Sequence, residues 1–376
     1  MRGPKILFYV QHLLGIGHLA RASRIASALV ADGFDLTMVT GGAPVPGFPA
    51  AGVKTFALPP VVASDIGFSG LAAADGTPAD QSFLDRRRDS LLAQLHLMQP
   101  DIVMLEAFPF GRRQMRFELM PLLREAAAMS PRPKVVVSVR DILQERMKPG
   151  RNEETSAIVE EFVDRVLIHG DPSFARLEDT FPPAERIADK VIYTGLVAGP
   201  PSAPVAEPHD VLVSAGGGAA GRDLVFAAVS AARLLPPDLG WCVITGPNLA
   251  AADFERLAAE APANVALQRF RPEFPALLAN AGVSVSQAGY NTVCDILRAG
   301  CRSVLVPFAA GGETEQSVRA ERLARIGLAT MLSEAALSAQ SLAAAIETAR
   351  TSPPPGPNGL DLEGARHTAI ALRELG

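Results

Sequence analysis

Short apolar runs alternate with segments of helical periodicity along most of the chain. In its first half, the predicted strands are residues 5–10, 34–41, 100–106, 134–141, 165–170 and 190–195. Each run is almost continuously apolar, without the alternation of a strand that faces water on one side. Such runs are typical of strands buried on both faces, which occur in parallel sheets covered by helices. The pattern therefore predicts a parallel α/β domain.

A segment rich in proline and alanine then interrupts the alternation. Residues 198–209 have no periodicity and are predicted to be a linker. Beyond the linker, strands are predicted at 210–213, 241–246, 264–270, 283–289 and 303–308. We therefore predict two Rossmann-like parallel-sheet domains in series, 1–197 and 210–352. A helix within 359–376 is predicted to pack back on the first domain.

Composition narrows the class of protein. The 376 residues are 48% hydrophobic and 20% charged, which suffices for a large core. The net charge of −5 argues against nucleic acid as a partner, because phosphate binding needs a basic surface. Three cysteines without CxxC spacing argue against a disulfide framework and favour the cytoplasm. The apolar run at 5–10 is interpreted as a strand rather than a signal peptide, and no stretch is apolar over the about 20 residues that span a bilayer.

Ligands of open parallel sheets bind beyond the carboxyl ends of the strands. The sequence GIGH, residues 15–18, follows the first predicted strand and precedes a helix. Gly15 and Gly17 permit close approach of the backbone, and the helix behind them offers unpaired N–H groups. His18 is a candidate for a chemical role, with a plain polar residue at a helix start as the alternative. Arg21 is placed either to hold an acidic group or on a solvated face.

Two other strand ends carry candidate ligand-binding groups. In SAGGGAAGR, residues 214–222, the backbone N–H groups of consecutive glycines can cradle phosphate oxygens. These glycines are Gly216, Gly217 and Gly218. The loop is not a Walker loop and not a clean GxGxxG motif. After the strand at 303–308, Glu315 and Gln316 can hydrogen-bond sugar hydroxyls, with plain acidity at a helix N-terminus as the alternative.

The stretch QAGYNT, residues 287–292, separates a predicted strand from a helix. Gly289 or Asn291 can cap this helix, and its positive end then faces a ligand. Asp295, one turn along, would repel phosphate, but its carboxylate can accept hydrogen bonds from both hydroxyls of a ribose diol. The combination predicts a nucleoside diphosphate, and an acid favoured by the helix dipole is the alternative.

The sequence resembles inverting glycosyltransferases of the GT-B fold, and most of all those of family 28, which includes a peptidoglycan N-acetylglucosaminyltransferase. Over 283–328, the stretches AGYNTVCDILRAGC, VPF, EQSVRAERL and IGL match the donor-site pattern of that family in order and spacing. GIGHLARA matches its glycine-rich loop with a terminal histidine, whereas 43–135 do not align. Uncharacterised bacterial predicted glycosyltransferases are also similar. The resemblance implies two Rossmann-like domains that face each other across a cleft, with the donor bound by the second.

The resemblance also implies roles for the matching residues. The implied donor-binding residues are Gly216, Gly217, Gly218, Phe270, Arg271, Gln287, Gly289, Tyr290, Asn291, Thr292, Asp295, Glu315 and Gln316. Among them, Asp295 stands where the family usually has a Glu that binds the donor ribose. Phe270 or Arg271 stands in the loop that contacts the nucleotide base in that family. Arg302 and Arg319 replace a usual Pro and a common Asn, which leaves the identity of the sugar open.

An inverting transfer needs a base for the acceptor hydroxyl and a stabiliser for the departing diphosphate. The chain has no DxD metal motif, so helix dipoles and backbone N–H groups are expected to stabilise the diphosphate without a metal. His18 is the preferred base, because the ordinary pKa of histidine lies near neutrality. Glu106 and Asp141 are the next candidates, either as bases or as residues that orient the acceptor or His18.

The predicted function is therefore transfer of a sugar from a nucleotide diphosphate sugar, expected to be UDP-linked, to an unidentified acceptor hydroxyl, with no further cofactor. A nucleotide-sugar hydrolase, a 2-epimerase and a non-enzymatic nucleotide-sugar-binding protein are the alternatives, and the last would not need His18. Residues 83–98 combine arginines with leucines and are predicted to form a solvated amphipathic helix. Peripheral contact with the inner face of a membrane stays open for a lipid-linked acceptor.

Overall fold

A computed structural model describes residues 3–13, 15–63, 70–144, 149–203, 205, 207–216 and 221–375. Gly217 and Gly218, two of the predicted phosphate-binding glycines, lie outside the described residues. The chain divides into two compact units. The first unit comprises Met1–Val197 and Leu360–Gly376, and the second comprises Ala198–Gly359.

The first unit is built around a parallel sheet. Its strands are β1 Lys5–Val10, β2 Asp35–Thr40, β3 Lys54–Ala57, β4 Val61–Ala63, β5 Leu71–Ala73, β6 Ile102–Glu106, β7 Lys134–Arg140, β8 Arg165–His169 and β9 Val191–Tyr193. Its helices are α1 Gly17–Ala31, α2 Gln81–Met98, α3 Arg116–Ala128, α4 Arg151–Phe162 and, after the second unit, α11 Gly364–Arg373. The sheet order is β3-β2-β1-β6-β7-β8-β9, and β4 pairs with β5 in a separate antiparallel hairpin. The order reverses between β1 and β6, which is the topological switch point.

Burial explains why these runs become strands. All of β6 and Ile6–Val10 of β1 are buried, as expected for a sheet covered on both faces. Helix α1 turns Ala22, Ile25, Ala26 and Leu29 towards the core, with the spacing of an amphipathic helix. The apolar runs predicted as strands in this unit all form strands of the parallel sheet, which confirms the predicted fold class.

Helix α2 contains the arginine-rich segment and begins after Asp80, whose side chain accepts a hydrogen bond from the Phe83 backbone N–H. Residues 83–98 are predicted to form a solvated amphipathic helix, and on its buried face Arg87, beside Leu91 and Leu95, has no exposed surface. Its Nε donates to Glu118 Oε2 at 2.7 Å, and its Nη1 donates to the Gly41 carbonyl at 2.9 Å. A buried guanidinium needs this carboxylate and carbonyl because its own desolvation is costly.

The C-terminal segment belongs to the first unit. The Leu196 N–H donates to the Asp361 carbonyl at 2.7 Å, and the Gly364 N–H donates to the Leu196 carbonyl at 3.0 Å. At the other end of α11, Arg373 Nε donates to Asp32 Oδ2 at 2.5 Å. Helix α11 thereby packs beside α1.

The second unit repeats the architecture. Its strands are β10 His209–Ser214, β11 Trp241–Ile244, β12 Val265–Gln268, β13 Ala281–Ser286, β14 Arg302–Leu305 and β15 Thr330–Met331. Its helices are α5 Arg222–Ala232, α6 Ala251–Glu260, α7 Phe274–Leu278, α8 Tyr290–Ala299, α9 Glu315–Arg325 and α10 Ala339–Thr351. The parallel order β12-β11-β10-β13-β14-β15 puts the switch point between β10 and β13. Among the helices that the structure describes, none is long and apolar enough to cross a membrane.

Candidate active site

The switch point of the first unit brings His18 and Glu106 together. His18 is the second residue of α1, which follows β1, and Glu106 is the last residue of the neighbouring strand β6. His18 Nδ1 lies 2.9 Å from Glu106 Oε1. Glu106 is fully buried, whereas the His18 side chain is 19% exposed. An ionised carboxylate can only accept hydrogen bonds, so Nδ1 carries the ring proton and Nε2 keeps a lone pair.

The surroundings fix the charge of this pair. Burial by itself would raise the pKa of Glu106, but the Arg21 guanidinium and the hydrogen bond from His18 outweigh it and lower that pKa from 4.5 to about 2. Burial, followed by the nearby Arg112 guanidinium, lowers the pKa of His18 from 6.5 to about 3, against the raising effect of Glu106. At neutral pH the pair therefore consists of a carboxylate and a neutral imidazole, the form that can accept a proton.

Arg21 is 2% exposed, and its guanidinium pairs with Glu106. Of the two alternatives for Arg21, this is the one in which it holds an acidic group, because a buried carboxylate needs a counter-charge inside the fold. A Cβ added to Gly15 would meet nothing within 4 Å, and the role of Gly15 beside a ligand stays a prediction. Gly17 is the first residue of α1.

Asp141, the other predicted carboxylate, follows β7 and is 1% exposed. Its Oδ1 accepts a hydrogen bond from the Ile142 backbone N–H at 2.9 Å. Glu106 is thus the carboxylate that contacts His18, which favours an orienting role for Glu106 among the alternatives that the sequence leaves open. Directly after Glu106, Ala107 has a φ of 68°, a conformation that non-glycine residues rarely adopt and that is common near functional sites.

Three further polar residues extend from Glu106 across the sheet. Ser138 Oγ lies 2.7 Å from Glu106 Oε2 and 2.8 Å from His169 Nε2. His169 Nδ1 lies 2.8 Å from Thr194 Oγ1. Sequence reasoning missed these residues, although each is a polar side chain at or near the carboxyl end of an otherwise apolar strand run. We call Glu106, Ser138, His169 and Thr194 the strand-end relay.

In the second unit, two predicted donor loops meet at the switch point. Gly216 has a φ of 73°, which a glycine adopts without strain. A Cβ added to it would lie 3.7 Å from Gln287 Oε1, so the loops after β10 and β13 are neighbours. Gly289 caps α8 with a φ of −64° and no side-chain hydrogen bond, and the helix begins at Tyr290 rather than at Asn291. Tyr290, Asn291 and Thr292 form its first turn.

Asp295 is the sixth residue of α8, and the first turn of that helix contains no acidic residue. The alternative of an acid favoured by the helix dipole is therefore wrong, since that effect is confined to the first turn. Asp295 is 8% exposed and borders a cavity of about 120 Å³ together with Pro200, Pro201 and Arg298. Sites for whole ligands of drug size are roughly 300–1,000 Å³, so this cavity matches only part of a nucleotide sugar.

The remaining predicted donor residues differ in how accessible they are. Phe270 follows β12 and is 60% exposed, whereas Arg271 donates through Nε to Glu273 Oε1 at 2.6 Å. This contrast favours Phe270 as the residue that can stack on a base.

The assignment of Glu315 to the donor sugar stays a prediction, and in the structure this residue has an internal partner. Its carboxylate is 3% exposed and is engaged by Arg319 Nη2 at 2.7 Å, because a buried guanidinium requires a partner. Gln316 Oε1 accepts from the Phe308 N–H at 3.2 Å, which leaves its amide N–H groups to donate elsewhere. Across the described residues, no group of three or more His, Cys, Asp or Glu side chains is arranged to hold a metal ion.

Comparisons with known proteins agree with this architecture. Residues 211–357 match the glycosyltransferase family 28 C-terminal domain. A relative from Brucella anthropi, named UDP-N-acetylglucosamine–N-acetylmuramyl-(pentapeptide) pyrophosphoryl-undecaprenol N-acetylglucosamine transferase, is 29% identical over 180 residues, which are 44% of this chain and 48% of that protein. The protein of the same name from Gloeobacter violaceus is 34% identical over 107 residues, 27% of this chain and 29% of that protein. The chain thus matches at most about half the length of these relatives.

Solved structures are similar over the whole chain. The glycotransferase of kitacinnamycin superposes with a TM-score of 0.66 at 16% identity, covering 100% of this chain and 99% of that one. MurG from Acinetobacter baumannii superposes with a TM-score of 0.60 at 17% identity, covering 99% of this chain and 100% of that one. At such identities the likeness concerns the fold. Together with the matched domain, these findings confirm the predicted resemblance: the chain has the GT-B fold, and residues 211–357 match the glycosyltransferase family 28 C-terminal domain.

Proposed function

We propose that the chain transfers a sugar from a nucleotide diphosphate sugar, UDP-linked, to an acceptor hydroxyl with inversion, without a metal or a further cofactor. The single observation that carries the proposal is the pairing of His18 with Glu106 at the switch point of the first unit. A neutral imidazole whose Nδ1–H is held by a carboxylate has its Nε2 open to a hydroxyl proton. Loss of that proton makes the acceptor oxygen a nucleophile towards the anomeric carbon, and a single displacement inverts the configuration there.

The second unit supports a diphosphate donor. Helix α8 begins at Tyr290 directly after the loop that follows β13, and the positive end of its dipole can stabilise the negative charge that develops on the leaving diphosphate. Asp295 borders a neighbouring cavity and can accept hydrogen bonds from ribose hydroxyls. The names of the curated relatives specify a UDP-linked sugar donor, which favours UDP over other carriers.

For the acceptor, we propose the reacting group, which is a hydroxyl, and the classes of molecule that carry it. It presents a hydroxyl to His18 Nε2, and it is a small molecule, a glycan or a lipid-linked sugar. The names of the curated relatives specify an undecaprenol-linked acceptor. An acceptor of that kind would bring the enzyme to the inner face of the cytoplasmic membrane.

Binding and turnover test the proposal separately. Thermal melting with UDP, dTDP, GDP and ADP in the presence of EDTA should show stabilisation by UDP of about 2.7 kcal/mol at 100 times its dissociation constant. The dTDP arm is included because the glycosyltransferase VinC was solved with that nucleotide. Absence of a shift with every nucleotide would contradict the donor assignment.

Incubation with UDP-sugars, with and without cell extract as a source of acceptors, then tests the reaction. Release of UDP that accelerates with extract supports transfer. Equally fast stoichiometric release of UDP and free sugar without any acceptor would instead identify a hydrolase, because the His18–Glu106 pair can also activate water.

A further inference from the structure

The strand-end relay is a row of buried polar side chains in an otherwise apolar part of the sheet, and packing alone does not explain it. Its residues come from the carboxyl ends of the four neighbouring strands β6, β7, β8 and β9, and three of them, Glu106, Ser138 and His169, have no exposed surface. Thr194 is 1% exposed. Apolar side chains such as Val137, Val139 and Ile168 fill the adjacent strand positions. Replacing buried hydrogen-bonded partners by apolar groups of the same shape is often neutral for stability, so stability does not explain why polar residues stand here.

The direction of every hydrogen bond in the relay follows from the charge of Glu106. An ionised carboxylate accepts only, so the Ser138 hydroxyl donates to Glu106 Oε2. A serine hydroxyl has one proton, so His169 Nε2–H must donate to Ser138 Oγ. Burial lowers the pKa of His169 from 6.5 to about 3, so the ring is neutral and its Nδ1 accepts from the Thr194 hydroxyl. His169 is thereby held in the Nε2–H form, the opposite tautomer to that of His18.

We propose that Ser138, His169 and Thr194 are positioning residues of the transfer reaction, which act on His18 through Glu106. The proposal rests on the proposed function. Glu106 Oε1 accepts hydrogen bonds from His18 and Arg21 on α1, and Glu106 Oε2 accepts one from Ser138 on β7. The two carboxylate oxygens are therefore held by different elements of the fold. Without the Ser138 hydroxyl, the carboxylate can rotate about its terminal torsion, and His18 Nδ1–H loses its fixed acceptor. The imidazole then turns or changes tautomer, and Nε2 no longer points at the acceptor hydroxyl.

Matched variants of the full-length protein separate positioning from packing. Ser138→Ala removes the donor to Glu106, and Thr194→Val removes the far end of the relay without changing its shape. His169→Leu removes both ring nitrogens, whereas His169→Gln retains an N–H that can reach Ser138. Thr368→Val is the control, because Thr368 is also fully buried in the first unit, and its hydroxyl donates to the Gly364 carbonyl at 2.7 Å outside the relay.

The kinetic readout is the split between kcat and KM. We expect Ser138→Ala and His169→Leu to lower kcat by about tenfold or more while KM for the UDP-sugar stays within about twofold, because the donor residues lie in the second unit. His169→Gln should recover part of the loss, and Thr194→Val should show a smaller loss. A kcat that falls no further than in Thr368→Val, or a loss that merely follows the melting temperature, would overturn the proposal.

The second readout is independent of turnover. Selective ¹⁵N labelling of histidine reports the tautomer of each ring by NMR. We expect His169 in the Nε2–H form and His18 in the Nδ1–H form in the unaltered protein, and mixed tautomers for His18 in Ser138→Ala. His169 in the Nδ1–H form would overturn the proposal even if no variant folds. If the unaltered protein turns over no UDP-sugar, the proposed function fails, and the tautomers of His18 in Ser138→Ala still decide whether the relay positions His18 through Glu106.

Discussion

The two units hold their candidate chemistry at equivalent positions of their sheets but build it from different groups. At the β1/β6 switch point the groups are side chains, with His18 and Arg21 on one carboxylate and the relay behind it. At the β10/β13 switch point the candidate groups are mostly backbone groups, namely those of Gly216 and of the first turn of α8 behind Gly289. The charged side chain at this site is that of Asp295. Proton transfer needs a titratable group in a fixed pose, whereas a diphosphate needs several N–H groups at close approach.

The two sites therefore differ in what a ligand adds. In the first unit the charged groups already satisfy one another, so the pair is pre-organised and a ligand has only to reach His18 Nε2. In the second unit the N-cap of α8 is Gly289, and the proposed ligand groups are the N–H groups at the start of that helix, where diphosphate oxygens would bind. Activity should depend on side-chain identity in the first unit, and on both backbone shape and Asp295 in the second.

The largest expected effect is on His18. His18→Ala should lower turnover by about 10²–10⁴-fold, because a general base contributes roughly that factor. UDP affinity should not change, since the proposed donor-binding residues lie in the second unit. Steady-state kinetics and UDP titration measure both quantities, with His96→Ala as the control for an exposed histidine paired with Glu125. Full activity of His18→Ala would show that another residue is the base. Weakened UDP binding would contradict the assignment of donor binding to the second unit alone.

Asp295→Ala should have the next largest effect. Loss of a charged acceptor costs on the order of 1.5–3 kcal/mol per ribose hydrogen bond, which is about tenfold to 150-fold in UDP affinity for each bond. The unaltered protein should prefer UDP to 2′-deoxy-UDP, and the variant should lose that preference. Glu321→Gln on α9 is the control for removal of one negative charge from the same unit. Retained discrimination between the two nucleotides would show that Asp295 does not bind the ribose.

A pair of glycine substitutions tests the backbone character of the second site. Gly216→Ala should cost about 1–2 kcal/mol of stability, because its φ of 73° strains any side chain. Gly289 has an ordinary φ of −64°, and a Cβ there would meet nothing within 4 Å. Gly289→Ala should therefore fold with a smaller loss but bind UDP more weakly, since the methyl group would face the diphosphate. Urea unfolding and UDP titration distinguish the two, and unimpaired UDP binding by Gly289→Ala would remove the start of α8 from the site.

The smallest expected effect is that of pH on the rate. Neutral His18 is the competent form, and because its pKa is lowered from 6.5 to about 3, that form persists below the pH at which an ordinary imidazole protonates. We expect kcat to stay flat as the pH falls through 6.5. The free energy of unfolding should fall over the same range, because the unfolded chain protonates His18 and His169 whereas the folded chain does not. A kcat that halves near pH 6.5 would contradict the buried, neutral His18.

The same contrast explains what could be predicted from the sequence. Residues of the second site are close in sequence, since Gly289 and Asp295 lie in one short stretch directly after β13. Periodicity and turn chemistry therefore suffice to find them. The relay is not contiguous, since Ser138 is 32 residues from Glu106 and 31 from His169. Its assembly depends on the pairing of β6, β7, β8 and β9, and the sequence does not reveal the register that places these side chains side by side.

Burial was the other quantity that the sequence did not supply. Arg21, Arg87 and Glu315 have the residue types of a solvated face, yet each is buried against an opposite charge in the fold. A hydropathy pattern treats a charged side chain as exposed, because its partner comes from a distant element or from the next helical turn. The apolar strands are free of this ambiguity, which is why the fold class could be predicted better than the site.

The return of residues 360–375 to the first unit has a consequence for biosynthesis. Asp361 and Gly364 bond to Leu196, and Arg373 bonds to Asp32, so the first unit is complete only when α11 is in place. The ribosome synthesises α11 after all of the second unit, which lies between it and the rest of the first unit. The second unit can therefore finish folding before the first, and the apolar face of α1 that α11 covers stays exposed until α11 has been synthesised. Nascent chains of this protein would need shielding by chaperones at the first unit for longer than at the second.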